Sequence, residues 1–326
     1  MKGFIIKNQQ ASFARTSVFL MALVALGWER PGLAQEPIQS QEAPQVETRD
    51  QHSVPAAAAE SEPTRELPLW ELGLGLGAVA FRDYRGSDTT HAYPVPVPYF
   101  IYRGQYLQAD RSGLKSKLFN QDRVEFNFSL NATTPVRDNS ARQGMPELRS
   151  TVEIGPSLQV HVWRSASERV KLDVRLPVRA AFAVGSPGYI GWFSNPNINV
   201  DIADPAGLRG WHLGMLTGPL FAASRYDAYY YSVAPQYATP DRPAYQATGG
   251  YAGSQVLAAV SKRYPRFWTG AYLRYDDLDG ASFESSPLVK SHSYWSAGIG
   301  FAWIISRSAR LVNVPDAQSP AVTESQ

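Results

Sequence analysis

The 326 residues contain no cysteine. Disulfides, thiolate metal sites and cysteine nucleophiles are therefore excluded outright. Long apolar runs are also missing: the one sustained stretch, Ser17 to Trp28, is shorter than the roughly 20 residues a membrane-spanning helix needs. An excess of charge is lacking too. The formal net charge is +2, and residues 1–34 hold four of the basic residues against one acid, which leaves the remainder close to neutral. Nothing in that balance proposes nucleic acid as a partner. Histidine is sparse, with His52, His91, His161, His212 and His292 showing no close metal spacing, so no metal site is expected. No Gly-x-Ser-x-Gly elbow occurs, and Ser291-His292-Ser293 is the sole local Ser–His pairing. Adjacent residues on a strand point to opposite faces, which opposes nucleophile–base geometry there and equally separates Asp276 from Asp277. Neither a catalytic residue nor a cofactor site is predicted.

What the chain does have is a rhythm of two. Hydrophobic residues make up 44% of it, yet mean hydropathy is −0.27, as expected when apolar residues are dispersed by alternation. From Val170 to Val184 the even positions are Val170, Leu172, Val174, Leu176, Val178, Ala180, Phe182 and Val184, while Lys171, Asp173, Arg175 and Arg179 fall between them. A strand places these two sets on opposite faces. The length exceeds the 9–11 residues or so with which a tilted strand crosses a bilayer. Charge on the second face suits a wet or ion-paired interior, not a dry sandwich core. The fold predicted is a transmembrane antiparallel up-and-down β-barrel.

Taken in order, residues 1–34 read as a cleavable export signal, with Lys2, Lys7 and Arg15 ahead of the apolar segment and Gly32-Leu33-Ala34 as the small-residue site. Residues 35–67 are rich in Glu, Gln, Pro and Ala and are predicted to be a disordered periplasmic linker. The barrel spans 68–306, and 307–326 form a polar tail. Strand patterns recur at 70–80, 124–130, 152–162, 169–184, 197–203, 210–223, 249–263, 267–278 and 293–305. Gly73, Gly75 and Gly77 share the inward face of the first, opposite Leu72, Leu74 and Leu76. Residues 133–147, 185–196, 224–248 and 279–292 read as long outer loops. If both ends of the barrel lie in the periplasm, Tyr93 to Phe119 must hold one strand or three. Three short strands give twelve in all, with ten as the alternative. Pro94, Pro96 and Pro98 cannot donate to a ladder, so this segment is expected to pair only partly or to begin pairing near Tyr99.

Three blocks carry a resemblance. They are Asp83-Tyr84-Arg85-Gly86-Ser87-Asp88 followed by Tyr93-Pro94-Val95-Pro96-Val97-Pro98-Tyr99; Arg225-Tyr226-Asp227-Ala228-Tyr229-Tyr230-Tyr231-Ser232-Val233; and Tyr275-Asp276-Asp277-Leu278-Asp279-Gly280-Ala281 with Glu284-Ser285-Ser286-Pro287-Leu288-Val289. In order and over most of Trp70 to Trp303, they resemble the outer-membrane family that includes MltA-interacting protein and OmpV. The resemblance implies an outer-membrane barrel in a Gram-negative cell. For the best-known member it implies a scaffold joining a murein-cleaving lytic transglycosylase to a murein-polymerising enzyme; other members are surface antigens or adhesion factors.

Read from the residues, Gly86 permits a tight turn, and Tyr84, Arg85 and Asp88 are expected to form a hydrogen-bonded cluster under the loop. Turn chemistry accounts for that motif more cheaply than a ligand does. The tyrosines from Tyr226 to Tyr231 are expected in an interface belt or a structured loop before a sugar-stacking site. The inward set Lys171, Asp173, Arg175 and Arg179, with Glu153, Arg123 and Glu125 on neighbouring staves, is expected to line the lumen. Paired, these charges plug it; unpaired, they would suit a passive channel for small polar solutes.

Overall fold

The computed structural model describes residues 64–103, 107–110, 113–121, 123–185 and 188–315, with backbone alone for 64–65, 107–110, 113–121 and 314–315. The expected export signal, most of the linker and the end of the tail lie outside these residues.

Chain order gives β1 (Thr64–Pro68), β2 (Trp70–Arg82), β3 (Thr90–Arg103), β4 (Leu107–Asp110), β5 (Gly113–Gln121), β6 (Val124–Thr133), β7 (Thr151–Arg164), β8 (Val170–Ala183), β9 (Gly188–Ser194), β10 (Asn197–Ala203) and β11 (Trp211–Ala222). Helix α1 (Ser224–Tyr231) follows, then β12 (Gly250–Arg263), β13 (Phe267–Asp277), β14 (Ser293–Arg307) and β15 (Leu311–Pro315). Each strand from β2 to β9 pairs antiparallel with the next, as does each from β10 to β14, and β14 returns to β2. The ring closes because β8 pairs with β9 through its second half and with β10 through its first, and both of these also pair with β11. β9 and β10 thus form two halves of one stave, broken at Asn195-Pro196. This antiparallel closed sheet is the β-barrel the alternation predicts. No helix among the described residues is long and apolar enough to cross a membrane.

The wall separates chemistry by parity. Outward positions carry Leu74, Leu76, Phe128, Ile154, Val178, Val256 and Ile299, all exposed, with Ile299 at 66%. Trp163 and Trp303 lie toward one end of this apolar band and Trp192 and Trp295 toward the other, as interface girdles do. Inward positions are polar and buried: Glu71, Asn127, Glu153, Gln159, Asp173, Arg179, Asn199, Arg274 and Asp276. The inward glycines of β2 let the β14 backbone come close. A Cβ at Gly75 would run into the Phe301 carbonyl, and one at Gly73 into that of Trp303.

Three departures from the sequence reading have physical causes. Residues 185–196, read as a loop, contain β9. Ile190 has no partner in the ladder between Phe182↔Tyr189 and Ala181↔Gly191, so a bulge leaves Ile190 and Gly191 both buried and erases the alternation. The proline segment pairs with β2 along its whole length, Leu74↔Pro98, Leu76↔Pro96 and Ala78↔Pro94. Successive residues of an antiparallel strand direct their N–H groups to opposite sides, so the three prolines, spaced by two, all turn their missing donors away from β2. The far edge of β3 pairs with β4 only at Tyr102 and Arg103, where no proline intrudes. Finally, β1 and β15 pair with each other as a two-stranded ribbon beside the barrel ends, formed by residues assigned from sequence to linker and tail.

Short turns at 164–170 and 263–267 lie at the same end as the ribbon, and the long links 133–151, 222–250 and 277–293 at the opposite end. The long links carry the site.

Candidate functional site

Ion pairs line the barrel interior in tiers, most of them between neighbouring strands. Near the ribbon end, Glu71 accepts from the Tyr99 hydroxyl at 2.9 Å and from Arg263 Nε at 2.9 Å, with Arg103 3.7 Å away. Asp173 then holds His161 Nδ1 at 2.7 Å and accepts from Gln159 Nε2 at 2.8 Å, while the other imidazole nitrogen lies 3.7 Å from Glu125. Arg175 Nη2 lies 3.8 Å from Asp201, which also faces Lys171 in register. Further along, Glu153 is 0% exposed and accepts from Arg179 Nε at 3.0 Å, from the Tyr226 hydroxyl at 2.8 Å and from Asn131 Nδ2 at 3.3 Å. Arg179 also donates to Ser129 at 3.0 Å. Of the residues singled out as lumen-lining, Arg123 alone is exposed, in the turn before β6, because its strand begins one residue later.

Above these tiers the long links fold into the barrel mouth. Gly191 makes this possible: its φ is +130°, and a Cβ there would stand 2.7 Å from the Tyr226 backbone nitrogen, so α1 packs directly on the β9 backbone. Tyr226, Tyr230 and Tyr231 are buried with Phe193, Leu278 and Phe283 in one apolar cluster, and Tyr231 stacks on Phe283 at 3.7 Å. The tyrosines therefore form the core of a cap, not an interface belt. Burial raises the hydroxyl pKa of each, most directly for Tyr226, where Glu153 adds its own charge.

The first motif does not gather as expected. Asp88 is exposed and, among the described residues, accepts only from Thr89, while Tyr84 and Arg85 part to different partners. The Tyr84 hydroxyl donates to Leu288 O at 2.8 Å, and Ser87 accepts from Asn139 at 3.1 Å. Gly86, with φ of +88°, accepts from the backbone nitrogens of Lys290 and Ser291. Arg85 reaches inward, with Nε 3.3 Å from Asp276 and Nη1 donating to Ala252 O at 2.9 Å. Asp276 is paired again by Arg274 at 2.6 Å, while Asp277 caps the Asp279 nitrogen, so the two neighbours diverge as strand geometry requires. Ser286 donates to Tyr231 O at 2.7 Å, Pro287 is half-buried beside it, and Tyr229 accepts from the Arg149 nitrogen at 2.9 Å. The three separated sequence blocks thus meet as one cap.

A cavity of about 60 Å³ remains beneath it, lined by Arg85, Asp227, Tyr230, Tyr294 and Ser296 among others. Asp227 is 1% exposed, with the Arg85 guanidinium and the Ser282 hydroxyl as its polar neighbours. Burial pushes its pKa up to about 7, against the pull of Arg85. Sequence reasoning missed Asn139 and Arg142, which tie the first outer link to the cap through Asp83 (2.7 Å) and Tyr230 O (2.8 Å); no periodicity marks such loop residues. It also missed the convergence of Asp279, Glu284 and His292, the one trio among the described residues able to offer three metal-ligand atoms within 4.8 Å. Ser291 donates to Ser293 O and leaves His292 unengaged as a base.

Residues 74–305 match the model of the family described as MltA-interacting protein MipA. The chain belongs to the MipA family. Its match covers β2 through most of β14 and contains every cap residue named above. Two relatives agree: outer membrane protein OmpV of Vibrio cholerae serotype O1, 24% identical, and outer membrane protein Omp26La of Vibrio anguillarum, 23% identical. Each aligns over 220 residues, 63% of this chain and 76% of the relative. A solved bacterial polysaccharide outer membrane secretin overlaps 72% of this chain and 97% of its own at 7% identity, with a TM-score of 0.34, too weak a likeness to bear on the fold. Family membership and the barrel together make this an outer-membrane protein.

Proposed function

We propose that this MipA-family barrel is a non-enzymatic scaffold, exported by its N-terminal signal. Its twelve staves, β9 and β10 counted as one, sit in outer-membrane lipid, and it positions a lytic transglycosylase and a murein polymerase at the cell envelope. The observation that carries this reading is the pairing of inward charge: among the described residues Glu71, Asp173, Glu153 and Asp276 each hold a basic partner, and the α1 cap packs over the barrel mouth. The family description supplies the kind of partner, since it names an interaction with MltA. The ribbon and the short turns form the periplasmic face, where such enzymes work.

Photo-crosslinkers at Leu311 in β15 and at Ser167 in the 164–170 turn test the reading in intact cells. Adducts with the transglycosylase, lost when the ribbon is deleted from a folded barrel, support it. A correctly folded protein that captures neither enzyme from either position contradicts it.

A further inference from the structure

The β13–β14 link crosses the cap from Leu278 to His292, and its base is closed by the Leu278 nitrogen donating to His292 O at 2.7 Å. Three side chains from its two arms and its middle turn toward one point. His292 Nδ1 lies 3.3 Å from Asp279 Oδ1 and 3.3 Å from Glu284 Oε1. Both carboxylates thus address the same ring nitrogen. Both are ion-pair contacts to one nitrogen and neither meets the geometry of a hydrogen bond, and one ring N–H can serve only one acceptor well, so the second carboxylate is left without a directed partner on the ring. The distances suit donors around a common centre. With metal–ligand bonds of about 2.0–2.1 Å, the edge of a tetrahedron is roughly 3.3–3.4 Å.

The donor set narrows the ion. Calcium and magnesium prefer oxygen throughout, whereas an imidazole among carboxylates suits zinc and its neighbours in the first transition row. Asp279 and His292 are exposed, so water can complete the coordination sphere. The other oxygen of Glu284 accepts from the Gly280 nitrogen at 2.8 Å, which orients the carboxylate from behind as outer-shell partners do.

We infer that Asp279, Glu284 and His292 form a structural binding site for a transition-metal dication of the zinc class, which pins the β13–β14 link. That link carries Ser286 and Leu288, the partners of Tyr231 and Tyr84, so an ion held there fastens the cap over the barrel mouth. The site makes no demand on the periplasmic partners and stands apart from the scaffold reading.

The test uses the untagged mature protein in detergent, stripped with a chelator and titrated with zinc chloride by calorimetry. The expected result is one saturable zinc per chain at micromolar or tighter affinity, undisturbed by millimolar magnesium. His292→Ala should weaken binding by more than the roughly 10–100-fold that losing an outer-shell partner costs. Asp279→Asn, at an exposed position, should weaken it with the fold intact. Zinc should also slow proteolysis within 278–292 in the wild type and not in His292→Ala. Three outcomes overturn the inference: no saturable zinc binding below about 100 µM, binding unchanged in both variants, or displacement by equimolar magnesium.

Discussion

Replacing Arg179 by methionine measures whether the interior is closed. Arg179 and Glu153 are both buried, and the guanidinium is the sole cation within 4 Å of that carboxylate among the described residues. In a dry interior the change strands Glu153, which keeps only the Tyr226 and Asn131 hydrogen bonds, and breaking such a pair costs about 3–5 kcal/mol. In a water-filled lumen the same pair is worth only about 0–1 kcal/mol. The double variant Arg179→Met/Glu153→Met removes the stranded charge and leaves the Tyr226 hydroxyl and the Asn131 amide unpaired, at about 1–3 kcal/mol for each group left without a partner. Its loss should therefore be smaller than the summed losses of Arg179→Met and Glu153→Met alone, the signature of direct coupling. Urea unfolding in lipid vesicles, followed by tryptophan fluorescence and by heat-modifiable mobility, gives the four free energies of the cycle. A single-variant loss under about 1 kcal/mol, or strictly additive effects, would refute the reasoning.

Two further perturbations probe the cap. Asp227 has a folded pKa of about 7 against 3.8 for the free side chain, so the folded state holds its proton more tightly. Its stability contribution is complete below about pH 4 and declines as pH rises to about 7, by up to about 4 kcal/mol at 1.36 kcal/mol per unit. The urea midpoint of the wild type should fall between pH 5 and pH 7.5, and Asp227→Asn should flatten that slope; an equal slope in both proteins counts against the buried carboxylate. Gly191→Ala combines a φ of +130° with a Cβ 2.7 Å from the Tyr226 nitrogen, so it should displace α1 and speed proteolysis at 224–248 while the barrel still shows its heat-modifiable band. Unchanged cleavage would mean that α1 does not rest on β9.

Sequence exposed the wall because lipid and an ion-paired lumen impose one rule on every stave. Leu74 against Gly75, or Val178 against Arg179, can be sorted by parity alone. The rule fails where geometry departs from the simple ladder. At Gly191 a bulge puts two neighbours on one face, and at Asn195-Pro196 the stave breaks, so β9 vanished into a loop. The cap was less legible. Its blocks were visible as motifs, yet Tyr84, Tyr231 and Ser286 meet only through tertiary folding, with 146 positions separating Tyr231 from its acceptor Arg85 O. Arg123 and Asp88 were grouped with neighbours by sequence proximity, and both instead face solvent. The trio Asp279, Glu284 and His292 has no motif spacing because a loop, not a helix face, brings it together.

Planar-bilayer recording on the purified, folded protein tests the central claim most directly. With Glu71, Asp173, Glu153 and Asp276 all paired on the inner wall and α1 seated above them, the wild type should be electrically silent. Stable, reproducible single-channel steps from that same folded protein would contradict the closed interior on which the account rests.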